Sequence, residues 1–409
     1  MRIRSITSFY DPNSASAGQD LESLSIFSQK FLQEAEDHSF PVLSRRLATT
    51  PFPYYLDALS FEARAEKILE MDQTARLLGW DYLSLGPALP NHPWSFAEIP
   101  QMLTLADNLF CAGVISDDHF LYPHAVRAAA RVIHDTAALS PDGFTNLRFA
   151  ALANVAPGTP FFPAAYHSPG ALPAVSLAIE CADVAMEVFS GSLDLESSRK
   201  ELIQKLEQSA FELNSLAAPL LQSRGIQFLG FDFSPAPFPE DWCSLAGAVE
   251  SIGLEHIGGI GSLAAVAVIA DTLDQGNWLR AGFNGMMLPV MEDSVLAQRA
   301  DQSLLSVKDL LLYSTVCGTG LDTIPLPGEV TLEQLASILM DVGTLATRLG
   351  KPLTARLMPI PGKSTGDPVS FDFAYFAHSR VISVEGQSLI EPLNGDLPIA
   401  LHPRKAARL

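Results

Sequence analysis

The 409-residue chain contains no apolar run of the roughly 18 residues needed to span a bilayer. Its most hydrophobic stretch, Leu263 to Ile269, ends at Asp271 and reads as a buried helix. The opening residues, Met1-Arg2-Ile3-Arg4-Ser5-Ile6, are basic but alternate in polarity and lack an apolar h-region, which argues against a secretory leader. Cysteine is scarce. Cys111, Cys181, Cys243 and Cys317 stand far apart and none forms a CxxC pair, so a ribbon-type zinc site is not expected. With no export signal, reduced thiols in a cytoplasm are the simple reading. Positive charge is also short: 26 Lys and Arg face 46 Asp and Glu, for a formal net charge of −20. Such a surface repels phosphate backbones and anionic lipids, so neither nucleic acid nor a membrane is expected as a partner. The total does not exclude a local cationic pocket for an anionic metabolite.

Several catalytic signatures are missing or broken. HExxH is absent. Gly259-Ile260-Gly261-Ser262-Leu263-Ala264 has the GxGxxA spacing, but a helix precedes it where a strand is needed, and Asp271 and Asp274 come too early to hold a ribose. A glycine turn is the better reading. Pro361-Gly362-Lys363-Ser364 resembles the end of a phosphate loop, yet Leu357 stands where the first glycine belongs. Asp117-Asp118-His119 with His124 offers oxygen and imidazole donors at no recognised metal spacing, and a polar loop capping the next helix explains it.

What is present is 48% hydrophobic residues in repeated β–α alternation. Strands are predicted at Arg2 to Phe9, Asp81 to Leu85, Leu109 to Ile115, Leu147 to Val155, Ala174 to Ile179, Ile226 to Phe233, Gly285 to Val290, Leu353 to Met358 and Arg380 to Val384. Helices are predicted between them. They include Gly18 to Glu36, Ser60 to Leu78, Pro123 to Leu139 and a long one from Leu195 to Ser223 stopped by Arg224-Gly225. Ser95-Phe96-Ala97-Glu98 and Thr331-Leu332-Glu333-Gln334 have capping-box form. The pattern is that of an α/β protein with a mainly parallel sheet or barrel. Residues 1–392 read as one domain, with halves at 1–225 and 226–392, and 393–409 as a peripheral tail.

Three segments place chemistry at strand ends, where α/β folds bind ligands. Asn154 closes an apolar strand before Pro157-Gly158-Thr159-Pro160 and Tyr166-His167. The bland alternative is that Asn154 satisfies loop amides. Asp232 sits between Phe231 and Phe233, a costly place for a carboxylate unless it is paired or functional. Cys317-Gly318-Thr319-Gly320-Leu321-Asp322 follows a helix, so the thiol is a candidate nucleophile or proton donor beside a carboxylate, although most lone cysteines are small buried hydrophobes. Glu292-Asp293 adds two carboxylates, which would also serve as ordinary helix-start residues.

These same segments resemble a widespread prokaryotic family of uncharacterised proteins. That family's fold is similar to the ten-stranded barrel of pyruvate formate-lyase-like (PFL-like) glycyl radical enzymes. The likeness is carried by Asp232-Phe233-Ser234-Pro235-Ala236-Pro237, Pro289-Val290-Met291-Glu292-Asp293, the run Cys317 to Asp322, and the Pro359 to Asp367 turn with Lys363. Ala153-Asn154-Val155 and Ala165-Tyr166-His167 also fit. The chain departs from the family at Gly259-Ile260-Gly261, where a Thr-His-Gly turn is common, and over Ala112 to Pro123. The resemblance implies a PFL-like ten-stranded α/β barrel made of two half-barrels. Glycyl radical chemistry is not implied, because neither Gly386 nor Gly395 lies in a radical-type loop.

The expected function is an enzyme acting on a small polar or carboxylated metabolite at the barrel centre. Cys317, Asp322, Asp232 and Glu292 are its catalytic candidates, and Asn154, His167, Asp293 and Lys363 would bind substrate. The rivals are a non-catalytic metabolite-binding or regulatory protein and a divalent-metal enzyme using Asp232, Glu292 and Asp322. No cofactor is named, a homo-oligomer stays open, and the expected location is cytoplasmic.

Overall fold

A computed structural model describes residues 1–191, 194–222 and 225–403. Strands come first. They are β1 (Arg2–Tyr10), β2 (Arg45–Thr49), β3 (Tyr82–Ala88), β4 (Leu109–Ser116), β5 (Phe120–Leu121), β6 (Phe149–Ala153), β7 (Ala174–Glu180), β8 (Gln227–Asp232), β9 (Gly320–Pro327) and β10 (Leu353–Ile360). Three short strands follow: β11 (Pro368–Val369), β12 (Ser379–Arg380) and β13 (Ile399–Ala400). The main sheet runs β8-β7-β1-β2-β3-β4-β6-β10-β9, with β5 and β13 attached beside β4. β1, β2, β3, β4 and β6 are mutually parallel. β7 with β8, and β10 with β9, form parallel pairs that run the other way, joined antiparallel at β7–β1 and β6–β10.

Alternation within each strand explains why both faces of this sheet are dry. On β1, Ile6 and Tyr10 join the large core packed under the helices, whereas Phe9 joins a separate cluster on the opposite face. Cys111 and Ile115 of β4 do the former, Phe110 and Ala112 the latter. The opposite face is rich in small residues, Ala48, Ala112, Ala150 and Ala178. They leave room for the chain between β6 and β7, which lies across this face. Thr7 Oγ1 donates to Pro160 O at 2.8 Å, Ser84 Oγ to Ala165 O at 2.8 Å and Ser176 Oγ to Gly158 O at 2.9 Å. Buried serines and threonines thus satisfy a buried loop's carbonyls.

The edge strands β8 and β9 each meet the segment between residues 279 and 290. Phe231 makes an isolated parallel bridge to Arg280, and Asp322 makes one to Pro289. The strand expected at Gly285 to Val290 therefore does not form as a regular element. Pro289 has no N–H to give a ladder, and the backbone bonds of Gly285 to Val290 are scattered, Met286 N to Cys317 O at 2.8 Å and Val290 N to Asp322 O at 3.1 Å.

Other expectations shift similarly. β3 runs through Gly86-Pro87, the pair expected to stop it. Pro93–Met102 is a helix whose N-cap is His92, so Ser95 lies inside it and donates to His92 O rather than forming a capping box. Phe144–Arg148 is a 3-10 turn, which delays β6 to Phe149. The Thr331 capping box is present. The end of the long helix at Ser223 and its stop at Arg224 lie outside the described residues. At the C-terminus, only Arg380 of the expected last strand is β, in the two-residue β12, which pairs with β11. No helix among the described residues is long and apolar enough to cross a membrane.

Candidate functional site

Between the inner face of the sheet, the loop from residue 158 to 166 and the segment from 368 to 380 lies a cavity of ≈ 430 Å³. Its floor comes from the amino-terminal halves of β1, β2, β3, β4 and β6, through Arg4, Arg46, Tyr82, Phe110 and Ala150. The oppositely directed strands contribute Asp322 from β9 and Arg356 from β10, and Glu292 follows the bridging segment. Phe161 and Phe162 of the loop form a wall. Phe373 and Tyr375 reach in from the segment between β11 and β12 and pack with Phe144 and Phe238.

One end of the cavity is a ladder of ion pairs. Glu180, at the end of β7, accepts from Arg2 Nε at 2.8 Å and from Arg4 Nη1 at 3.0 Å. Arg4 Nη2 lies 2.6 Å from Glu292 Oε2, and Arg356 Nη2 lies 2.8 Å from Glu292 Oε1. Arg356 Nε and Nη2 then clamp Asp322 at 2.5 and 2.9 Å. Fork-to-fork contacts of this kind are the strong form of the ion pair. Burial works against the Arg4 charge, but Glu292 and Glu180 outweigh it and hold the guanidinium protonated. Arg356 behaves likewise with Asp322 and Glu292. Burial pushes the Asp322 carboxyl up despite its arginine.

Arg46 stands outside this ladder. Its Nε donates to Ser44 Oγ at 2.9 Å, and neither Nη has an acceptor among the described residues. It is stacked near two rings, with the Phe162 centroid 5.3 Å and the Tyr82 centroid 5.7 Å from Cζ. Desolvation, with the like charge of Arg4, pushes its pKa down to about 10. It remains a cation at neutral pH, with both outer nitrogens on a cavity wall and no protein carboxylate to meet them.

Two of the eight candidates from sequence, Glu292 and Asp322, line the cavity together and share Arg356. The other six do not line it. Cys317 is buried in the apolar core, with Sγ 3.8 Å from Thr319 Oγ1. Its glycines serve the backbone: Gly318 ends the helix in the left-handed region, and Gly285 packs so closely on Cys317 O that a Cβ there would lie 2.1 Å away. Asp232 is fully buried at the end of β8. It accepts from Ser234 N at 3.0 Å, Ser234 Oγ at 2.6 Å, Phe283 N at 2.7 Å and Asn284 N at 2.9 Å, so it pins the bridging segment. Asp293 is a helix N-cap that also accepts from Ser244 Oγ at 2.6 Å and Ala246 N at 3.0 Å.

The remaining three lie elsewhere. Asn154 adopts φ 54° and its N–H donates to Ser116 O. His167 is buried near Phe9 at the other end of β1, with Nε2 unpartnered. Lys363 sits in the turn after β10, its carbonyl accepting from Gly328 N. No three His, Cys, Asp or Glu side chains converge among the described residues, so the set Asp232, Glu292 and Asp322 is not assembled as metal ligands. Asp117 closes its own turn, accepting from His119 N, Phe120 N and Tyr122 OH.

Sequence reasoning missed the arginines. Arg4, Arg46 and Arg356 each interrupt a strand, and a charge inside an apolar run is the signal that singles out Asp232. Arg45 and Arg46 also show how alternation divides their work: Arg45 turns to the helix side, donating to Ser28 Oγ and Leu78 O, and Arg46 turns to the cavity.

Residues 1–378 match the family described as Uncharacterised ACR (DUF711). Among curated relatives, a UPF0210 protein of Methanopyrus kandleri is 28% identical over 357 residues, 82% of this chain and 78% of that protein. One of Ligilactobacillus salivarius is 26% identical over 398 residues, covering 91% and 86%. One of Pyrobaculum arsenaticum is 34% identical over 252 residues, covering 59% and 55%.

Proposed function

This chain belongs to the DUF711 family of uncharacterised proteins, and on that premise we propose that its cavity binds a small carboxylated metabolite. The observation that carries the reading is Arg46, a cation on the wall of a largely apolar cavity whose two outer nitrogens have no acceptor among the described residues. A bidentate carboxylate supplies both the charge and the geometry such a guanidinium lacks. As an enzyme, the protein would use Asp322, whose proton affinity burial raises, as the proton-transfer group, with Glu292 and Arg356 holding the substrate's polar part. The locking of both carboxylates by arginines favours the second reading, a binding or regulatory protein that holds its ligand without turning it over.

The sheet is read as a PFL-like barrel of ten staves, with the segment from 279 to 290 as the tenth. Support comes from its single bridges to β8 on one side and β9 on the other, and from a parallel set of five strands facing a set of opposite direction. The test of function is native mass spectrometry of protein taken directly from cells, for wild type and Arg46→Met. A small acid retained by the first and lost by the second is the expected result. An acid held equally by both overturns the role of Arg46. Turnover of the released acid by added wild-type protein then separates enzyme from binder.

A further inference from the structure

We infer that the ligand of this cavity is an aromatic carboxylate, a flat ring carrying its acid group toward Arg46; this rests on the carboxylate reading above. The rings form two rows. On the sheet side, Tyr82 and Phe110 meet edge-to-face at 5.4 Å, and Phe110 and Phe162 at 5.3 Å. Arg46 lies over the first and last of these three. On the facing side, Phe144 and Phe373 meet at 5.1 Å and Phe373 and Tyr375 at 5.3 Å. Arg4 lies 4.8 Å from the Tyr375 centroid, so this second row also ends on a guanidinium. All six rings belong to residues that line the one cavity.

An aliphatic acid would bury area here without using the ring geometry. A planar ring gains edge-to-face contact with a row beyond what area burial alone supplies. The acid group meets the guanidinium of the site that, among the described residues, keeps both Nη free of protein acceptors and has its Nε fixed, by Ser44. Arg4 and Arg356 are already held by Glu180, Glu292 and Asp322. A second polar group on the ring, if present, faces that ladder.

Isothermal titration of the full chain with benzoate, cyclohexanecarboxylate, acetate and inorganic phosphate tests the inference. Benzoate is expected to bind about tenfold or more tighter than acetate or phosphate, and severalfold tighter than cyclohexanecarboxylate. Arg46→Met should weaken benzoate about tenfold or more. Phe162→Leu, which keeps apolar bulk and removes a ring, should weaken benzoate and leave acetate unchanged. Cyclohexanecarboxylate or acetate binding as tightly as benzoate, with both lost in Arg46→Met, overturns the aromatic class and leaves the carboxylate reading standing. Phosphate binding as tightly as benzoate overturns the aromatic class and the carboxylate preference together. Wild type that binds none of the four, while its unfolding transition is intact, overturns both.

Discussion

Asp232 and Arg46 are both charged side chains set among aromatic rings, one at the end of β8 and the other on β2. Asp232 is surrounded by donors: two from Ser234 and one each from Phe283 and Asn284. Asn284 is itself satisfied, accepting from Trp278 Nε1 and donating to Phe231 O and Ala281 O. Gly282 is required beside it, since a Cβ there would stand 2.2 Å from Asp232 Oδ2. Nothing at this knot is left for a ligand. Arg46 has one hydroxyl on Nε and open cavity beyond. Asp232 is fully buried and Arg46 half-buried, and only the first has its desolvation offset by bonds from within the protein. A buried charge with all its bonds made builds structure, and a half-buried guanidinium with its outer nitrogens unpaired by protein, facing a cavity, marks where something else is meant to sit.

The strongest way to break this comparison is at the knot. Asp232→Ala leaves four buried donors without an acceptor and should destabilise the protein by roughly 3–5 kcal/mol, read as a lowered urea midpoint. A loss under about 1 kcal/mol would mean that the four bonds are dispensable and that the carboxylate has some other purpose. Arg356→Met should come next. It strips Asp322 of its clamp and Glu292 of one of two partners, for a loss of about 2–3 kcal/mol, smaller because Arg4 stays on Glu292 and the cavity admits water.

The contrast also explains how far the sequence could be read. Helices and most strands were visible because their apolar periodicity agrees with burial, as in Ala174–Glu180, where every residue is buried. β2 was not, because Arg45-Arg46 opens a five-residue strand whose pattern depends on one arginine facing each side of the sheet. β9 is hidden by Gly318 before it and by Gly320, Pro325 and Pro327 inside it, residues that read as a turn. The Gly285 to Val290 run has strand composition, but meets the sheet there through the single bridge of Pro289 to Asp322. At the site, Glu292 and Asp322 were legible as strand-end carboxylates. Their partner Arg356 carried the same signal as Asp232, a charge inside an apolar run, and was read only as part of a strand. The cysteine motif misled for a physical reason: the glycines that suggest access to a thiol admit the protein's own backbone at Gly285 and Thr354 instead.

Arg46→Met tests the other half of the comparison. Removing a half-buried cation that no protein carboxylate holds relieves its partial desolvation, and Met fills similar space, so stability should fall by no more than about 1 kcal/mol. Retention of the native acid should be lost at the same time. A large loss of stability would show that Arg46 has a structural partner, as Asp232 does.

The smallest effect sits at the opposite end of β1 and sharpens the rule by supplying an intermediate case. His167 is buried and neutral, with Nε2 unpartnered like the Arg46 nitrogens, yet it does not line the cavity. Burial lowers its pKa, opposed weakly by neighbouring carbonyls and by Asp11 and Asp20. The sign follows from linkage. Between the depressed folded value and the ordinary one near 6.5, the unfolded chain binds more protons than the native one, so stability rises with pH through that window and is lost as pH falls below it. Wild type should therefore lose more of its urea midpoint between pH 7.5 and pH 5 than His167→Gln does, with the two converging above pH 7.5 apart from a constant offset. Parallel pH dependences would mean that the imidazole has a partner for its proton. The unpartnered nitrogen would then resemble the satisfied knot at Asp232 rather than the waiting guanidinium at Arg46.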